Sequence, residues 1–278
     1  MKKILYVILG IIIMSCDEAV NIGDFVNTKE ELVLINSSIS PQDKVLKVSV
    51  SKTAVSINDL DTDELEALVI TDAIVLLSNE IGEEVALLYI PETLSYQIES
   101  SKLDIIAGKS YNLRVIVEER EFTATCNIPK GIVAEINGEI SNNLNSEGVL
   151  KESVVISFKD IGGESNYYVI GAELEDFIIK SFLNFGIQRF ATDNIKDGIT
   201  ISSFGFFTQK ENSTITNIVL RVANMEPILY NSLYANYLNK ENASNPFYDG
   251  TIPPTNIKGE GGHGVFGGYQ LTEKIIKY

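Results

Sequence analysis

Short runs of branched and aromatic residues alternate with polar residues along most of this chain. In residues 45–50, Leu46 and Val48 alternate with Lys47 and Ser49, which is the period of a strand with one buried and one solvated face. Turn-forming Ser, Pro, Asn and Gly residues separate these runs. The pattern therefore predicts a mainly β fold.

The number of these runs predicts the architecture of each half of the chain. About seven strands fall within residues 30–129, which is the number and spacing of an immunoglobulin-like β-sandwich. Pro129 ends the last strand because proline cannot donate to a strand ladder, so the domain boundary is placed at 129–131. Residues 130–278 contain further strand patterns and are expected to form a second β-sandwich-like domain.

One segment has a helical period instead. Within residues 227–241, Leu229, Leu233 and Tyr237 recur at intervals of four, which places them on one face of a helix. Pro227 suits the first helical turn. The C-terminal domain is therefore expected to carry a single amphipathic helix.

Residues 259–267 are rich in glycine and fit the G-x-G-x-x-G pattern twice. Neither copy follows a strand and opens a helix, so the setting for binding a pyrophosphate is missing. We expect these glycines to let the backbone pass close to the helix and adopt positive φ. Phe266 and Tyr269 are expected to pack in the core, and Phe247 is expected to anchor the preceding loop.

Residues 1–15 have the pattern of a signal peptide. Two lysines precede an apolar run shorter than the about 20 residues that a spanning helix needs, and Ser15 stands just before Cys16. Cleavage at that point would leave Cys16 free for acylation, with residues 16–29 as a lipidated tether. The alternatives are an ordinary signal peptide that ends by chance at a cysteine and a membrane-embedded stub.

Residues 13–16, Ile-Met-Ser-Cys, resemble the bacterial lipobox in the loose form found in lipoproteins of the Bacteroidetes. The acidic pair Asp17 and Glu18 is similar to the signal with which those bacteria export lipoproteins to the cell surface. The resemblance implies an outward-facing outer-membrane protein that is anchored by palmitate-type acyl chains on Cys16. Each buried methylene contributes about 0.8 kcal/mol, so two or three chains make a stable anchor.

The net charge disfavours anionic partners, and the cysteine content limits disulfide and thiol chemistry. With 38 acidic and 22 basic residues, the formal charge of −16 repels nucleic acid and anionic lipid headgroups. Cys16 and Cys126 are the only cysteines, so acylation of Cys16 leaves no intrachain disulfide. Cys126 lies in an alternating run and is expected to be buried and inert.

The sequence lacks the residue combinations typical of catalytic sites. His263 is the only histidine, and neither a G-x-S-x-G elbow nor an H-E-x-x-H pair is present. We therefore expect a protein that is not an enzyme and that needs no cofactor.

Acidic residues alternate within residues 59–66. Asp59, Asp61 and Asp63 could supply the oxygen ligands that calcium prefers. Glu64, however, occupies the position where an EF-hand loop needs glycine. An acidic surface insertion between strands is therefore favoured over a calcium site.

Two groups of tyrosines are candidates for ligand contact. Tyr167 and Tyr168 open one predicted strand, and Tyr230, Tyr234 and Tyr237 lie along the predicted helix. A tyrosine ring stacks on a sugar or peptide while its hydroxyl forms hydrogen bonds, so Tyr167, Tyr168 and Tyr234 are the candidate contacts. The favoured alternative is packing of such rings against a sheet. The absence of tryptophan weighs against a carbohydrate-stacking platform without excluding tyrosine in that role.

Four local features carry a second resemblance. They are Cys16 with its acidic neighbours, Asp72 before Ala73, the Asn-Tyr-Tyr run at 166–168, and the stretches at 245–247 and 264–269. Together they are similar to a Bacteroidetes lipoprotein family, domain of unknown function 4249. This resemblance implies an accessory role beside a TonB-dependent outer-membrane receptor, and it supplies neither catalytic residues nor a ligand.

The sequence thus predicts a surface-exposed, lipid-anchored outer-membrane protein that binds a TonB-dependent receptor or captures a ligand for it. Two other classes stay open. One is a hydrolase of extracellular polymer that uses acidic residues of the second domain, and the other is a structural or adhesive surface subunit. Nucleic acid is not an expected partner.

Overall fold

The alternating runs of the sequence appear as strands in the computed structural model. The structure describes residues 32–53, 66–145, 147–176, 180–182, 189–193, 197–206, 215–245 and 247–278. The strands of this part of the chain are β1 (Val33–Ile39), β2 (Val45–Lys52), β3 (Ile74–Asn79), β4 (Glu84–Ile90), β5 (Ser95–Glu99), β6 (Ser110–Val117), β7 (Arg120–Asn127), β8 (Ile136–Leu144), β9 (Leu150–Lys159), β10 (Tyr167–Asp176), β11 (Lys180–Phe182), β12 (Phe190–Thr192), β13 (Thr200–Phe206), β14 (Ile215–Met225) and β15 (Gly262–Lys277). A long helix, α1 (Pro227–Glu241), lies between β14 and β15. The prediction of a mainly β fold is confirmed.

The first seven strands form a sandwich of the immunoglobulin type. Along the hydrogen-bonded path, β1-β2-β5-β4 is followed by β3-β6-β7, which is the A-B-E-D and C-F-G order of a constant-type immunoglobulin domain. Inward-facing residues of both groups share one core, as Val48 of β2 and Val115 of β6 do. Tyr111 on β6 forms the corner typical of this fold, because its hydroxyl donates to the carbonyl oxygen of Asp104 and accepts from the amide of Ile106, both at 2.7 Å.

The second half of the chain forms another sandwich. One sheet has the order β11-β10-β14-β15, and the other has the order β13-β9-β8. The second core lies between them and includes Ile156 and Phe158 from β9 with Ile170 from β10. A Cβ on Gly138 of β8 would overlap the side chain of Leu220 on β14, so glycine permits the close approach of the two sheets.

Strand β15 belongs to both sandwiches. Its residues 262–268 pair in parallel with β1, and its residues 269–277 pair antiparallel with β14. Phe266 of β15 is buried in the first core, whereas Ile276 of the same strand packs against the second. A single strand near the C-terminus therefore contributes to the packing of both halves.

The predicted domain boundary at 129–131 falls between Ile128, in the first core, and Val133, in the second. The chain from Leu32 to Tyr278 forms one compact unit. The division into two domains stays a prediction.

Helix α1 begins at Pro227, as predicted, and packs against β15 and β10. Its buried residues are Leu229, Tyr230, Ser232 and Ala235. Leu233, which was expected on the buried face, is 36% exposed. The helix approaches β15 at Gly267, where a Cβ would lie 2.5 Å from the Cβ of Leu229, so Leu229 and not Leu233 faces the strand. No helix among the described residues is long and apolar enough to cross a bilayer.

The glycine-rich stretch lies within and just before β15. Gly264 has a φ of +119°, and a Cβ on it would overlap the carbonyl oxygen of Ile35 on β1. The expected positive φ is therefore confirmed, although the close approach at Gly264 is to β1, and the expected approach to the helix is made at Gly267. Phe266 is fully buried, as expected.

The loop before this stretch is not held by Phe247, which is 92% exposed, so the predicted anchoring role of Phe247 is wrong. Asn239 of α1 holds the loop instead. Its side-chain amide donates to the carbonyl oxygen of Thr251 at 2.7 Å, and its Oδ1 accepts from the amide of Thr251 at 2.8 Å and from the hydroxyl of Tyr248 at 3.1 Å.

Cys126 on β7 is fully buried in the first core, as expected. Burial, with the carboxylate of Glu226 as a smaller cause, raises the pKa of its thiol far above the ordinary value. The thiol therefore stays protonated, which is the unreactive form.

Candidate functional site

Two sets of predicted site residues lie outside the described part of the chain. They are the lipidation and export residues Cys16, Asp17 and Glu18 and the calcium candidates Asp59, Asp61 and Asp63. Their roles stay predictions.

The adjacent candidates Tyr167 and Tyr168 differ in their environments. Tyr168 is fully buried, and its ring meets that of Phe158 edge-on, with 4.9 Å between centroids. Its hydroxyl donates to Oδ1 of Asp160 at 2.6 Å and accepts from the amide of Ile161 at 3.0 Å. Burial, followed by the hydrogen bond to Asp160, raises the pKa of Tyr168 well above its ordinary value. Tyr168 is thus part of the second core, and Tyr167 is only half-buried.

Tyr167 and the helix tyrosines belong to one aromatic cluster. The ring of Phe190 on β12 lies 5.5, 5.0 and 5.2 Å from those of Tyr230, Tyr234 and Tyr237, and Tyr167 lies 5.3 Å from Tyr230. Tyr230 is buried, and its burial raises its pKa to about 12. These rings pack α1 against the sheet, while the half-buried Tyr167 and Tyr234 retain exposed surface.

Three aspartates from two loops, one after β9 and one between β12 and β13, meet beside the second sandwich. One carboxylate oxygen from each of Asp160, Asp193 and Asp197 lies within 4.8 Å of the other two. Asp160 and Asp193 are buried, and Asp197 is exposed. We call these residues the aspartate cluster. Carboxylate oxygens are the ligands that a hard cation such as calcium prefers, so this donor set has the chemistry of a cation site.

Backbone amides also donate to each of these carboxylates. The donors to Asp160, Asp193 and Asp197 are the amides of Gly198, Asn166 and Gly163, at 2.8, 3.0 and 3.0 Å. The side chain of Asn166 in turn donates to two loop carbonyls and accepts from Asn224 of β14 at 3.1 Å. The aspartate cluster therefore belongs to a polar network that connects the loops of the second sandwich.

A groove lies between α1 and the outer face of β1 and β2. Its volume is about 570 Å³, which is within the range of small-molecule sites. Its sheet side is lined by Asn36, Ser38, Lys47 and Ser49, and Lys44 lines it from the turn before β2. We call it the α1 groove. Lys47 and Ser49 are exposed, which confirms the solvated face predicted for β2.

Helix α1 gives this groove an apolar side, because Leu229 and Leu233 line it. A polar pair also lines it, in which the hydroxyl of Tyr269 donates to Oδ1 of Asp43 at 2.6 Å. Burial raises the pKa of Asp43, although this hydrogen bond and the charge of Lys47 oppose the change. Burial, together with the bond to Asp43, raises the pKa of Tyr269 far above neutrality, so the hydroxyl keeps the proton that it donates.

A second cavity of about 400 Å³ lies on the same sheet face. Ser49 lines both cavities, and Leu34, Ser51, Thr53 and Leu68 line the second. The two cavities therefore adjoin at Ser49 along β1 and β2.

Glu226, directly before α1, connects the two sandwiches. Its carboxylate accepts from the side-chain amide of Asn127 on β7 at 3.1 Å and from the amide of Gly268 on β15 at 3.2 Å. Burial raises the pKa of Glu226 above its ordinary value. A cavity of about 310 Å³ at this junction is lined by Glu226 together with Asn166 and Asn224.

Sequence reasoning missed both the aspartate cluster and the α1 groove. The three aspartates follow or precede different strands, and the only local signal is the Asp197-Gly198 dipeptide, whose composition is common in turns. Alternation identified the solvated face of β2. This local pattern cannot indicate that α1, which is distant in sequence, encloses the solvated face.

Comparison with known families gives a match over nearly the whole chain. The family described as "Domain of unknown function (DUF4249)" matches residues 20–275. No curated protein matches the chain.

Proposed function

The chain belongs to the DUF4249 family of domains of unknown function, and on that premise we propose that it is a surface-exposed outer-membrane lipoprotein. In this proposal it is a non-enzymatic accessory of a TonB-dependent uptake system that captures a ligand for the receptor. The resemblance of the sequence to Bacteroidetes lipoproteins supports the receptor as partner.

The cellular localisation in this proposal depends on the N-terminal residues. The apolar leader ends at a lipobox-like run, and Asp17 and Glu18 follow the cysteine directly. Acyl chains on Cys16 would hold the protein at the membrane through burial of their methylenes. The acidic pair supports an outward orientation.

The observation that carries the capture role is the α1 groove. It is open to solvent, and it combines ammonium, hydroxyl and amide groups on its sheet side with leucines from α1. Sites that bind small ligands have this combination of a concave surface, apolar contact and a few convergent polar groups. Lys47 and Ser49 stand on a regular strand, which gives them fixed positions.

The aspartate cluster is the observation that favours a hydrolase as the second candidate. A hydrolytic acid must hold a proton and reach its substrate. Asp160 and Asp193 are 4% and 7% exposed, so a substrate has little access to them, and both already accept hydrogen bonds from the protein. Capture without turnover is therefore the stronger proposal.

Extraction of native membranes in mild detergent tests this function. We expect the protein to co-elute with a TonB-dependent receptor, and we expect the Cys16→Ala variant to leave the membrane fraction. Cys126→Ala is the matched control, because it removes the other cysteine and leaves the anchor intact. Turnover of a glycan or peptide panel by the purified protein would favour the hydrolase instead, and assembly into filaments would favour a structural subunit.

A further inference from the structure

We propose that the α1 groove and the cavity that adjoins it at Ser49 form one site for an acidic oligosaccharide. The inference rests on the proposed capture role and deepens it by naming the class of ligand.

Lys44 and Lys47 make the groove locally positive in an acidic chain. Among the described residues, neither lysine has a carboxylate within salt-bridge distance. Asp43 is the one acidic residue of the lining, and its Oδ1 accepts from Tyr269. Two ammonium groups therefore face one carboxylate, which already has a donor. One carboxylate leaves an excess of positive charge in the lining, which an anionic ligand complements and a neutral ligand does not.

Hydroxyl and amide groups line the sheet side of both cavities. Ser38 and Ser49 can each donate and accept, and Asn36 carries a donor and an acceptor on one side chain. Ser51 and Thr53 continue this polar lining into the second cavity. A sugar presents hydroxyls that act as both donors and acceptors, so it matches a surface of this kind.

An extended peptide matches the sheet side of the two cavities less well than a sugar does. Peptides that add to a sheet bind through the free backbone groups of an edge strand. Here the ligand would lie on the face of β1 and β2, which pair with each other and with β15 and β5. The backbone groups of these strands are therefore already paired, and the ligand would contact their side chains.

Leu229 and Leu233 provide the apolar contact. Leu233 is 36% exposed at the edge of the groove. The C–H face of a sugar ring gains from covering such surface, because apolar area is removed from water on both sides. No tryptophan is needed for this contact, so the absence of tryptophan from the chain does not exclude it.

Calorimetric titration of the full chain, purified in detergent, tests the inference. The probes are an oligomer of galacturonic acid, a neutral galactose oligomer of the same length, and an oligomer of glutamate. We expect the galacturonate oligomer to bind at least about tenfold more tightly than either of the others. No heat with the galacturonate, equal affinity for the neutral oligomer, or stronger binding of the glutamate oligomer would each overturn the proposal.

Two variants assign the binding to this groove. Lys44→Glu combined with Lys47→Glu is expected to weaken galacturonate binding at least about tenfold, because it reverses the charge of the lining. Ser49→Tyr is expected to abolish binding, because its ring would fill the place where the two cavities adjoin. Lys151→Glu combined with Lys159→Glu, two exposed positions on β9, makes the same charge change elsewhere and should leave the affinity unchanged. Unchanged binding by both groove variants would overturn the proposal.

These titrations contain no receptor, so they separate the two proposals. Binding that disappears in the groove variants supports the site even when no receptor co-elutes from membranes. A receptor that co-elutes with a chain unable to bind the galacturonate supports the accessory role and overturns the ligand.

Discussion

The two sandwiches differ in the polar groups that they bury. Among the described residues, the buried polar side chains of the first sandwich are the serines Ser37, Ser40 and Ser95. The second sandwich buries carboxylates and amides, namely Asp160, Asn166, Glu173, Asp193, Asn224 and Gln270. The first half is thus stabilised chiefly by apolar packing, and the second depends also on a network of buried hydrogen bonds.

This difference changes what a substitution costs. A buried serine is satisfied locally, as when Ser37 donates to the carbonyl oxygen of Lys47 at 2.7 Å. A buried carboxylate needs several donors, and Glu173 accepts from Arg221 at 2.6 Å while its side chain is 5% exposed. Removing one partner of such a pair leaves a charge without its donor, which costs more than a lost serine bond. The second half should therefore be the more sensitive to polar substitution.

The largest expected effect comes from the strand that both halves share. Gly264→Ala should lower the free energy of unfolding by at least about 3 kcal/mol, because φ is +119° and the new Cβ would overlap the carbonyl oxygen of Ile35. Urea unfolding followed by circular dichroism measures this loss. Gly148→Ala is the control, since Gly148 also has positive φ but has open space around it. One transition for the whole chain would mean that the halves unfold together, whereas two transitions would mean that they are separable.

The comparison itself is tested by two matched tyrosines. Tyr168→Phe removes a donor from the buried Asp160, whereas Tyr111→Phe removes a bridge between backbone groups. We expect losses of about 2–4 kcal/mol for Tyr168→Phe and about 1–2 kcal/mol for Tyr111→Phe in the free energy of unfolding. Equal losses, or a larger loss for Tyr111→Phe, would show that the polar network of the second half does not make it more sensitive to polar substitution than the first half.

The junction between the halves has a smaller, pH-dependent effect. Burial raises the pKa of Glu226, so the folded protein binds more protons than the unfolded chain between the ordinary carboxyl range and that raised value. Stability should fall as pH rises through this range, because the ionised side chain is the form that burial disfavours. In Glu226→Gln the fall between about pH 5 and pH 7 should be shallower. Thermal unfolding at both pH values measures this change in stability, and the exposed Glu119→Gln is the control. If Glu226→Gln loses as much stability between the two pH values as the unsubstituted protein, the prediction is contradicted.

The smallest effect is expected at Phe247. This side chain is 92% exposed, so Phe247→Ser should change the free energy of unfolding by no more than about 0.5 kcal/mol. Asn239→Ala should cost more, because Asn239 holds the same loop through three hydrogen bonds. The reverse order in urea unfolding would restore Phe247 as the anchor.

The sequence pattern was sufficient for the first half and less so for the second. Alternation in β2 identifies its buried face because every inward residue there is apolar, as Leu46 and Val48 are. In the second half, inward residues such as Asn166 and Asp160 have the composition of a turn, so their burial has no local signal. The aspartate cluster could not be predicted for the same reason.

Long-range pairing was also outside the reach of local patterns. The parallel pairing of β15 with β1 joins residues at opposite ends of the chain, and nothing in either strand specifies the other. The glycine pattern correctly predicts positions of close approach, yet only the fold shows their partners, Ile35 and Leu229. The exposed side of α1, and therefore the α1 groove, depends on that approach.

Mass spectrometry of the N-terminal peptide of the membrane-extracted protein tests the central claim most directly. We predict a chain that begins at Cys16 and carries fatty acyl groups on that residue. A mature protein with an unmodified Cys16, or with residues 1–15 still attached, would contradict the account.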